Sequence, residues 1–394
     1  MFIYKGYNFR LYPNQEDTRK LNQCIGSSRF VYNYYLDKKD KMYESTGKNW
    51  SLKDMCANLV GLESEYEWLK EVDSCALRTS LFDLDDAYTR FFKNFGSHPK
   101  FKSKHSRNSY RTNCIRSSYK GKDYSNIKVD LEKRTIQLPK LGEIKIRGYR
   151  NLRKLPGRII NATVSREGNR YYVSVCVQEN IDIPEFKLRN IVGIDLGVKN
   201  LVVASTGLKY KAMDAIKRRE RKIRGLNKWL SRCQKGSKNR LKVIAKLQAA
   251  YRKLRNARKY YTHLITSTLV KENDIIVMET LKVKDMIEQG KNNMPKYLSD
   301  SSLGEITRQL EYKCKWAEKK LIKVPTYFAS SQICNHCGNQ NKEIKNLNIR
   351  KWTCLKCNCN NDRDINASLN ILEKGIFDYF KKTIKKSRRI KEQI

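Results

Sequence analysis

A chain of 394 residues with 82 Lys and Arg against 40 Asp and Glu, a formal net charge of +42, is long enough for several domains, each with its own core. Charge this one-sided argues against an enzyme of small metabolites and for a polyanionic partner, most simply nucleic acid. The 23 Tyr, 12 Phe and 5 Trp exclude a disordered basic tail protein. No window has the about 18 uninterrupted apolar residues of a membrane span, and the N-terminus lacks a signal peptide's apolar core, so a soluble, cytoplasmic protein without a membrane partner is expected.

Residues 2–11 alternate apolar with polar and predict a strand. Tyr12-Pro13-Asn14 then turns the chain, and Asn14 can cap a helix running from Asp17 to Lys39 with Leu21, Ile25 and the Phe30–Tyr35 aromatic group. A second helix is expected at about 52–62. A third carries Leu77, Leu81, Leu84, Tyr88 and Phe91 on one face, with Arg78, Asp85, Asp86 and Arg90 exposed. Residues 15–95 therefore read as a small helical unit. From His98 to Arg116 the chain is basic and Ser-rich, with Lys100, Lys102 and Lys104 near Phe101 and Tyr110. A solvated linker is one reading; the basic–aromatic interleaving favours contact with phosphates and bases. Period-two runs follow at 127–131, 135–138, 143–146, 159–165 and 171–177, punctuated by Pro139, Gly142, Pro156-Gly157 and Gly168-Asn169. With the first strand they suggest a small β-barrel into which the helices are inserted.

After a short linker at 182–187 with Pro184, Ile191–Ile194 and Leu201–Val203 flank a turn of Gly197, Lys199 and Asn200, which reads as a buried β-hairpin. Asp195 stands in its first arm. A carboxylate in an apolar strand is costly unless paired or bound to a cation, although a turn Asp beside Gly is an equal reading of this segment alone. Residues 209–260 hold 20 Lys and Arg but only two acids, Asp214 and Glu220, and within and just beyond them Ile244, Leu247, Tyr251, Leu254, Tyr261 and Ile265 predict a long amphipathic helix. Its basic face needs an anion to neutralise it. Asn273–Thr280 is a buried strand ending at Glu279, a helix at about 302–319 and a strand at 320–325 follow, and Asp362-Arg363-Asp364 opens a last helix. Capping alone would justify acids there. Acids ending separate segments of one α/β unit are also how nucleases of the RNase H type hold two divalent cations about 4 Å apart.

Seven cysteines are scattered, but Cys334 and Cys337 form one C-x-x-C knuckle and Cys354 and Cys357 another, 16 residues on. That spacing predicts one structural, four-thiolate zinc site with no open position for a substrate, leaving Cys359 a bystander and His336 a surface residue.

The order G-I-D-L-G-V-K-N, M-E-T-L, S-S-Q-I-C-N-H-C-G, R-K-W-T-C-L-K-C and D-R-D-I-N-A-S-L-N-I closely resembles TnpB, the transposon-encoded RNA-guided nuclease family ancestral to the type V CRISPR effectors. F-R-L-Y-P-N-Q, A-L-R-T-S-L-F-D-L-D-D-A-Y-T-R-F-F and P-K-F-K-S-K extend the likeness over nearly the whole chain. The resemblance implies a multidomain α+β protein: a wedge-type β-barrel with an inserted helical recognition unit, then an RNase H-like (RuvC) α/β domain interrupted by a zinc ribbon. It implies the first wedge strand at 1–14, the recognition unit at 15–95, and linker and remaining barrel at 96–185. RuvC would occupy 190–330, with a basic helical insertion at 209–270, and 362–378; the zinc ribbon 331–361 and a basic tail 379–394 complete the chain. By motif match Asp195, Glu279 and Asp364 are the three acids for two catalytic Mg2+ ions, with Asp362 the neighbour most easily confused with Asp364. The implied activity is cleavage of double-stranded DNA paired to a guide RNA, beside a short adjacent motif, by a cytoplasmic protein, expected to be a monomer, that joins the nucleoid when bound to its target. Ser74 and Arg78, four residues apart on an exposed helical face, are the candidates for reading that motif.

One departure is Asn358, where the family usually has Gly; Asn also accepts the left-handed conformation. The loop 206–210 is short. A nuclease-inactive repressor would be expected to have lost an acid, and this chain keeps all three. A plain zinc-ribbon binding protein leaves those acids unexplained, and a single-strand transposase needs a His-x-His pair that His98, His105, His263 and His336 do not supply. A CRISPR-associated type V effector remains an alternative.

Overall fold

Alternation at the N-terminus becomes strand β1 (Phe2–Tyr12), which buries Ile3, Tyr7, Phe9 and Leu11 and exposes Phe2 and Tyr4. Helix α1 (Gln15–Thr46) then opens on a reciprocal cap: Asp17 N donates to Asn14 Oδ1 at 2.8 Å and Asn14 N donates to Asp17 Oδ2 at 3.2 Å. Helices α2 (Leu52–Glu65) and α3 (Ser74–Phe92), capped by Ser51 and Asp73, follow. Leu77, Leu81, Leu84 and Tyr88 are buried as their spacing requires, and Phe91 is half-buried. This computed structural model describes residues 1–104, 108–119, 122–149, 151–182, 188–198, 200–211, 214–281, 302–326, 328–346 and 348–391. The chain divides into two units, Met1–Asp182 and Ile183–Ile394.

The first unit continues as β2 (Asn108–Asn113), a separate hairpin of β3 (Arg116–Tyr119) and β4 (Lys122–Ser125), then β5 (Lys128–Asp130), β6 (Thr135–Leu138), β7 (Gly142–Arg147), β8 (Arg158–Glu167) and β9 (Arg170–Asn180). Seven strands make one antiparallel sheet in the order β2-β8-β9-β1-β7-β6-β5. β1 lies at its centre because residues 2–11 pair with β9 and residues 10–12 with β7. Asn126 draws the sheet's two ends together: its side chain accepts from Ile115 N at 2.7 Å and donates to Asn113 O at 3.1 Å just before β5 begins. The curled sheet and the three helices share one apolar core.

Two expectations change here. β2 falls inside the stretch read as a basic linker, and Tyr110, taken there as a stacking ring, is 4% exposed opposite Val164. The alternation of Tyr110 and Thr112 inward was hidden by the polar residues around them. Residues 105–107, which include His105, and 183–187, which include Pro184, lie outside the described residues.

The second unit is built on a mixed sheet of β10 (Ile191–Asp195), β11 (Asn200–Ala204), β12 (Lys209–Lys211), β13 (Ile275–Glu279) and β14 (Lys320–Val324), in the order β12-β11-β10-β13-β14. β10, β13 and β14 run parallel; β11 and β12 are antiparallel additions. Lys199, placed in the β10–β11 turn, lies outside the described residues. Helices α5 (Lys238–Glu272) and α6 (Leu303–Trp316) cover one face, packing Ile265, Leu269, Ile306 and Leu310 on Val192, Ile194, Ile276 and Met278. Helix α7 (Arg363–Lys391) covers the other, with Ile371 against Ile275, Val277, Ile322 and Val324.

The long helix expected around Ile244–Ile265 is α5, and the basic stretch before it holds a second helix. Helix α4 (Asp214–Arg232) precedes α5, the break falls at Gly236 with φ 83°, and Ser237 caps α5. Ile223 and Leu226 of α4 pack on Ala250 and Leu254, while Tyr251, expected in the apolar stripe, is 48% exposed. The segment 379–394 is not a separate tail as far as Lys391, because α7 continues through it. Among the described residues no helix is long and apolar enough to cross a membrane.

Candidate active site and metal centre

Asp195 and Glu279 end two adjacent parallel strands. The register pairs Ile191 with Ile275 and Ile194 with Met278, so one step on places Asp195 beside Glu279 at the strand spacing of about 4.8 Å. Alternation decides the face. Val192, Ile194, Ile276 and Met278 enter the core under α5 and α6, so Asp195 and Glu279 point toward α7 together with Ile191, Gly193, Ile275 and Val277. Burial, then the negative charges of Glu279 and Asp364, hold the Asp195 carboxyl well above the usual carboxylate range. Burial likewise pushes Glu279 up to about 7.

Asp364 arrives on the first turn of α7. Helix and strand meet closely because β10 has no side chain at Gly193: a Cβ there would lie 2.2 Å from Ser368 O and 2.7 Å from Leu372 Cβ. Asn200 Nδ2 donates to one Asp364 oxygen and Arg350 Nη1 to the other, each at 3.2 Å. Asp362 is occupied differently. Its Oδ1 caps α7 by accepting from Asp364 N at 3.1 Å and Ile365 N at 3.2 Å, and its Oδ2 accepts from Lys209 Nζ at 2.6 Å. Of the two acids, Asp364 is the one whose charge acts on Asp195.

Sequence reading put Asn200 in the turn. It is instead the first residue of β11, 9% exposed, and orients Asp364. Arg350 carried no signal beyond lying four residues before Cys354. A buried Asn opening an apolar strand was the available clue to the first; the second depends on a tertiary contact that a single sequence does not encode.

Among the described residues, Cys334, Cys337, Cys354 and Cys357 are the one group with three or more ligand atoms all within 4.8 Å of each other. The Cys334–Cys357 and Cys337–Cys354 sulfur separations are 3.7 and 3.6 Å. Tetrahedral thiolates around zinc, with bonds of about 2.3 Å, sit about 3.8 Å apart, so the four sulfurs fit that ion. Each knuckle closes on a left-handed residue, Gly338 at φ 73° and Asn358 at φ 54°, whose amides donate to Cys334 O and Cys354 O. Asn358 thus does the work of the missing Gly. Amides of Cys357 and Lys356 draw the Cys354 thiol down, while burial and the neighbouring thiols push Cys337 and Cys357 up, so Cys354 is the first of these three to give up its proton. Strands β15 (Lys351–Thr353) and β16 (Asn360–Asp362) carry the second knuckle directly into α7, while His336 is exposed and Cys359 stands outside the four-thiol group.

The three carboxylates do not converge within that distance. Acids spread around a pair of cations about 4 Å apart need not do so. Two desolvated, mutually repelling carboxylates on one face are nevertheless a donor set that a hard divalent cation fits.

The remaining candidates lie in the first unit. Ser74 and Arg78 are exposed on α3, and Lys100 and Lys104 are exposed. Lys102 is half-buried, its Nζ 3.6 Å from the Tyr32 ring centre, and its backbone exchanges hydrogen bonds with the Asn33 side chain at 2.8 and 2.9 Å.

The sequence family described as "Probable transposase" matches residues 174–289, which carry Asp195 and Glu279, and "Cas12f1-like, TNB domain" matches 304–371, which carry the four cysteines and Asp364. A protein of Escherichia coli (strain K12) named "Putative RNA-guided DNA endonuclease InsQ" is 29% identical over 386 residues, spanning 94% of this chain and 92% of its own. A "Putative RNA-guided DNA endonuclease" of Streptomyces pristinaespiralis is 29% identical over 378 residues, 95% of this chain and 90% of its own. The chain belongs to the TnpB family. For this TnpB chain a "Helix-turn-helix domain" family also matches residues 1–48, yet those residues form β1 and one unbroken helix. The solved mini-RNA-guided endonuclease CRISPR-Cas_phi3 covers 95% of the TnpB chain and 92% of its own at a TM-score of 0.46 and 11% identity, too low a likeness to argue from.

Proposed function

We propose that this chain is a transposon-encoded RNA-guided DNA endonuclease that cuts target DNA with Asp195, Glu279 and Asp364. The observation that carries the reading is the placement of Asp195 and Glu279 at the ends of neighbouring parallel strands, facing the helix that brings Asp364. Burial backs both strand-end acids with apolar side chains, so their charge is left for a cation to neutralise. Divalent ions, magnesium in the reading adopted, would supply Lewis-acid stabilisation of the attacking and leaving oxygens of the phosphodiester. The chain's part is to hold ligands still. Strand pairing fixes Asp195 and Glu279, Asn200 and Arg350 orient Asp364, and Lys209 keeps Asp362 in its cap.

In this reading the second unit is the RuvC domain, interrupted by a zinc ribbon at 331–361, and the curled sheet with its helices is the wedge and recognition region. A net charge of +42 suits a guide RNA scaffold and an RNA–DNA duplex. The test is to sequence the RNA that copurifies with the full chain and offer a duplex matching its variable end in Mg2+. One defined RNA and cleavage confined to the matching duplex are expected; heterogeneous RNA without guided cleavage contradicts the proposal.

A further inference from the structure

Three buried side chains on α7 have no part in holding a catalytic cation. Arg363, Asn366 and Asn370, at 7, 2 and 4% exposure, follow the spacing i, i+3, i+7 and share one face of the helix. That face grips the backbone around Cys334. Asn366 Nδ2 donates to Ile333 O at 2.6 Å, and its Oδ1 accepts from Asn335 N at 2.9 Å. Asn370 Nδ2 donates to Ser330 O and Ile333 O, both at 2.7 Å, and its Oδ1 accepts from Asn335 Nδ2 at 3.2 Å. Arg363 reaches Asn346 O and Ser331 Oγ. The residues on both sides of one thiol are thereby fixed to the helix whose first turn presents Asp364.

Apolar packing could hold a helix here, but it would leave rotation about the helix axis loosely set. Amide pairs to specific carbonyls set rotation and axial position together. They also make the clamp dependent on the turn it grips, which is short and closed by three backbone bonds, Cys334 N to Asn339 O, Gly338 N to Cys334 O and Asn341 N to Gln332 O. Cys334, with Cys337, Cys354 and Cys357, would hold a zinc ion that ties this turn to the second knuckle. A second connection runs the same way: Arg350, on the zinc module, donates to Asp364, and its carbonyl accepts from Arg363 N at 2.8 Å.

We propose that Asn366 and Asn370 are positioning residues that couple occupancy of the four-cysteine site to the placement of Asp364, so that zinc and the catalytic cation bind with positive linkage. The inference rests on the reading of Asp195, Glu279 and Asp364 as cation ligands. Linkage is reciprocal: if zinc improves affinity for the divalent ion, that ion must tighten zinc by the same factor, in a range of roughly 5- to 150-fold for coupled sites. A merely structural contact between helix and knuckle would lower thermal stability without producing that reciprocity.

The test uses the full-length, zinc-loaded chain and two measurements besides cleavage: Mn2+ affinity by electron paramagnetic resonance, and zinc affinity by equilibrium competition with a chromophoric chelator, with and without Mg2+. Wild type is expected to hold zinc at least about fivefold more tightly when Mg2+ is saturating. Asn366→Ala and Asn370→Ala are expected to keep one zinc per chain, bind Mn2+ at least about fivefold more weakly, and show no Mg2+ effect on zinc affinity. Wild-type zinc affinity indifferent to Mg2+ overturns the proposal even if the variants do not fold, and so does wild-type Mn2+ affinity in folded variants. Asp195→Ala separates the two levels. If it binds Mn2+ like wild type the carboxylate assignment fails; if it loses Mn2+ while the Asn variants do not, only the coupling fails.

Discussion

Asp195 sits in an apolar strand with Glu279 alongside, and burial, then the charges of Glu279 and Asp364, make it harder to ionise. For Glu279 the ordinary value of 4.5 rises to about 7 on folding, so between those limits the folded chain holds the extra proton. Stability contributed by this group is therefore greatest at low pH and falls as pH rises from about 4.5 to about 7, levelling off above. A divalent ion must displace that proton below about pH 7. We predict that the half-saturating Mg2+ concentration for cleavage rises by up to tenfold per pH unit from 7 to 6, and that Mg2+ raises the melting temperature more at pH 8 than at pH 5.5. Cleavage titrations and thermal melts at those pH values check both; a pH-independent Mg2+ requirement contradicts the assignment of Glu279. Sequence pointed to these acids from strand ends and motif order, but not to their environment, because desolvation depends on the helix that covers them. For the same reason Asn200 and Arg350 escaped notice: both act on Asp364 across gaps of 164 and 14 residues.

At the scale of elements, the hairpin of β10 and β11 was readable because β-branched runs and a glycine turn are local signals. The long helix α5 was readable from its apolar stripe, but the separate helix α4 was not, since the break between them is announced only by Gly236 and the Ser237 cap. β2 was missed because its outward residues are polar and its neighbours basic, so composition outweighed alternation. Contact between α7 and β10 decides the site, and it hinges on Gly193. We predict that Gly193→Ala, whose methyl would lie 2.2 Å from Ser368 O, pushes α7 away from the sheet. The expected cost is on the order of 2 kcal/mol of stability, with cleavage reduced at least about tenfold as Asp364 retreats. Thermal melts and single-turnover cleavage measure the two effects, and wild-type behaviour in both would show the contact to be dispensable.

Across the whole molecule, charge, cysteine spacing and strand-end acids agree on a nucleic-acid enzyme, and each has a distinct structural counterpart. The charge is spread over both units, the four knuckle cysteines gather into one group, and the acids come from three segments that folding brings near one another. Mixed α/β content and the curl of the first sheet, expected as a small β-barrel, were legible from periodicity; the Asn126 bridge that joins the sheet's ends was not, because it has no sequence signature. The central claim is that Asp195 serves chemistry and not assembly. The most direct measurement compares wild type and Asp195→Ala, each loaded with its copurified RNA, for binding and cleavage of a matched duplex in Mg2+. Affinity within about twofold of wild type, with cleavage lowered at least about a thousandfold, is the predicted result. Undiminished cutting by Asp195→Ala would contradict it.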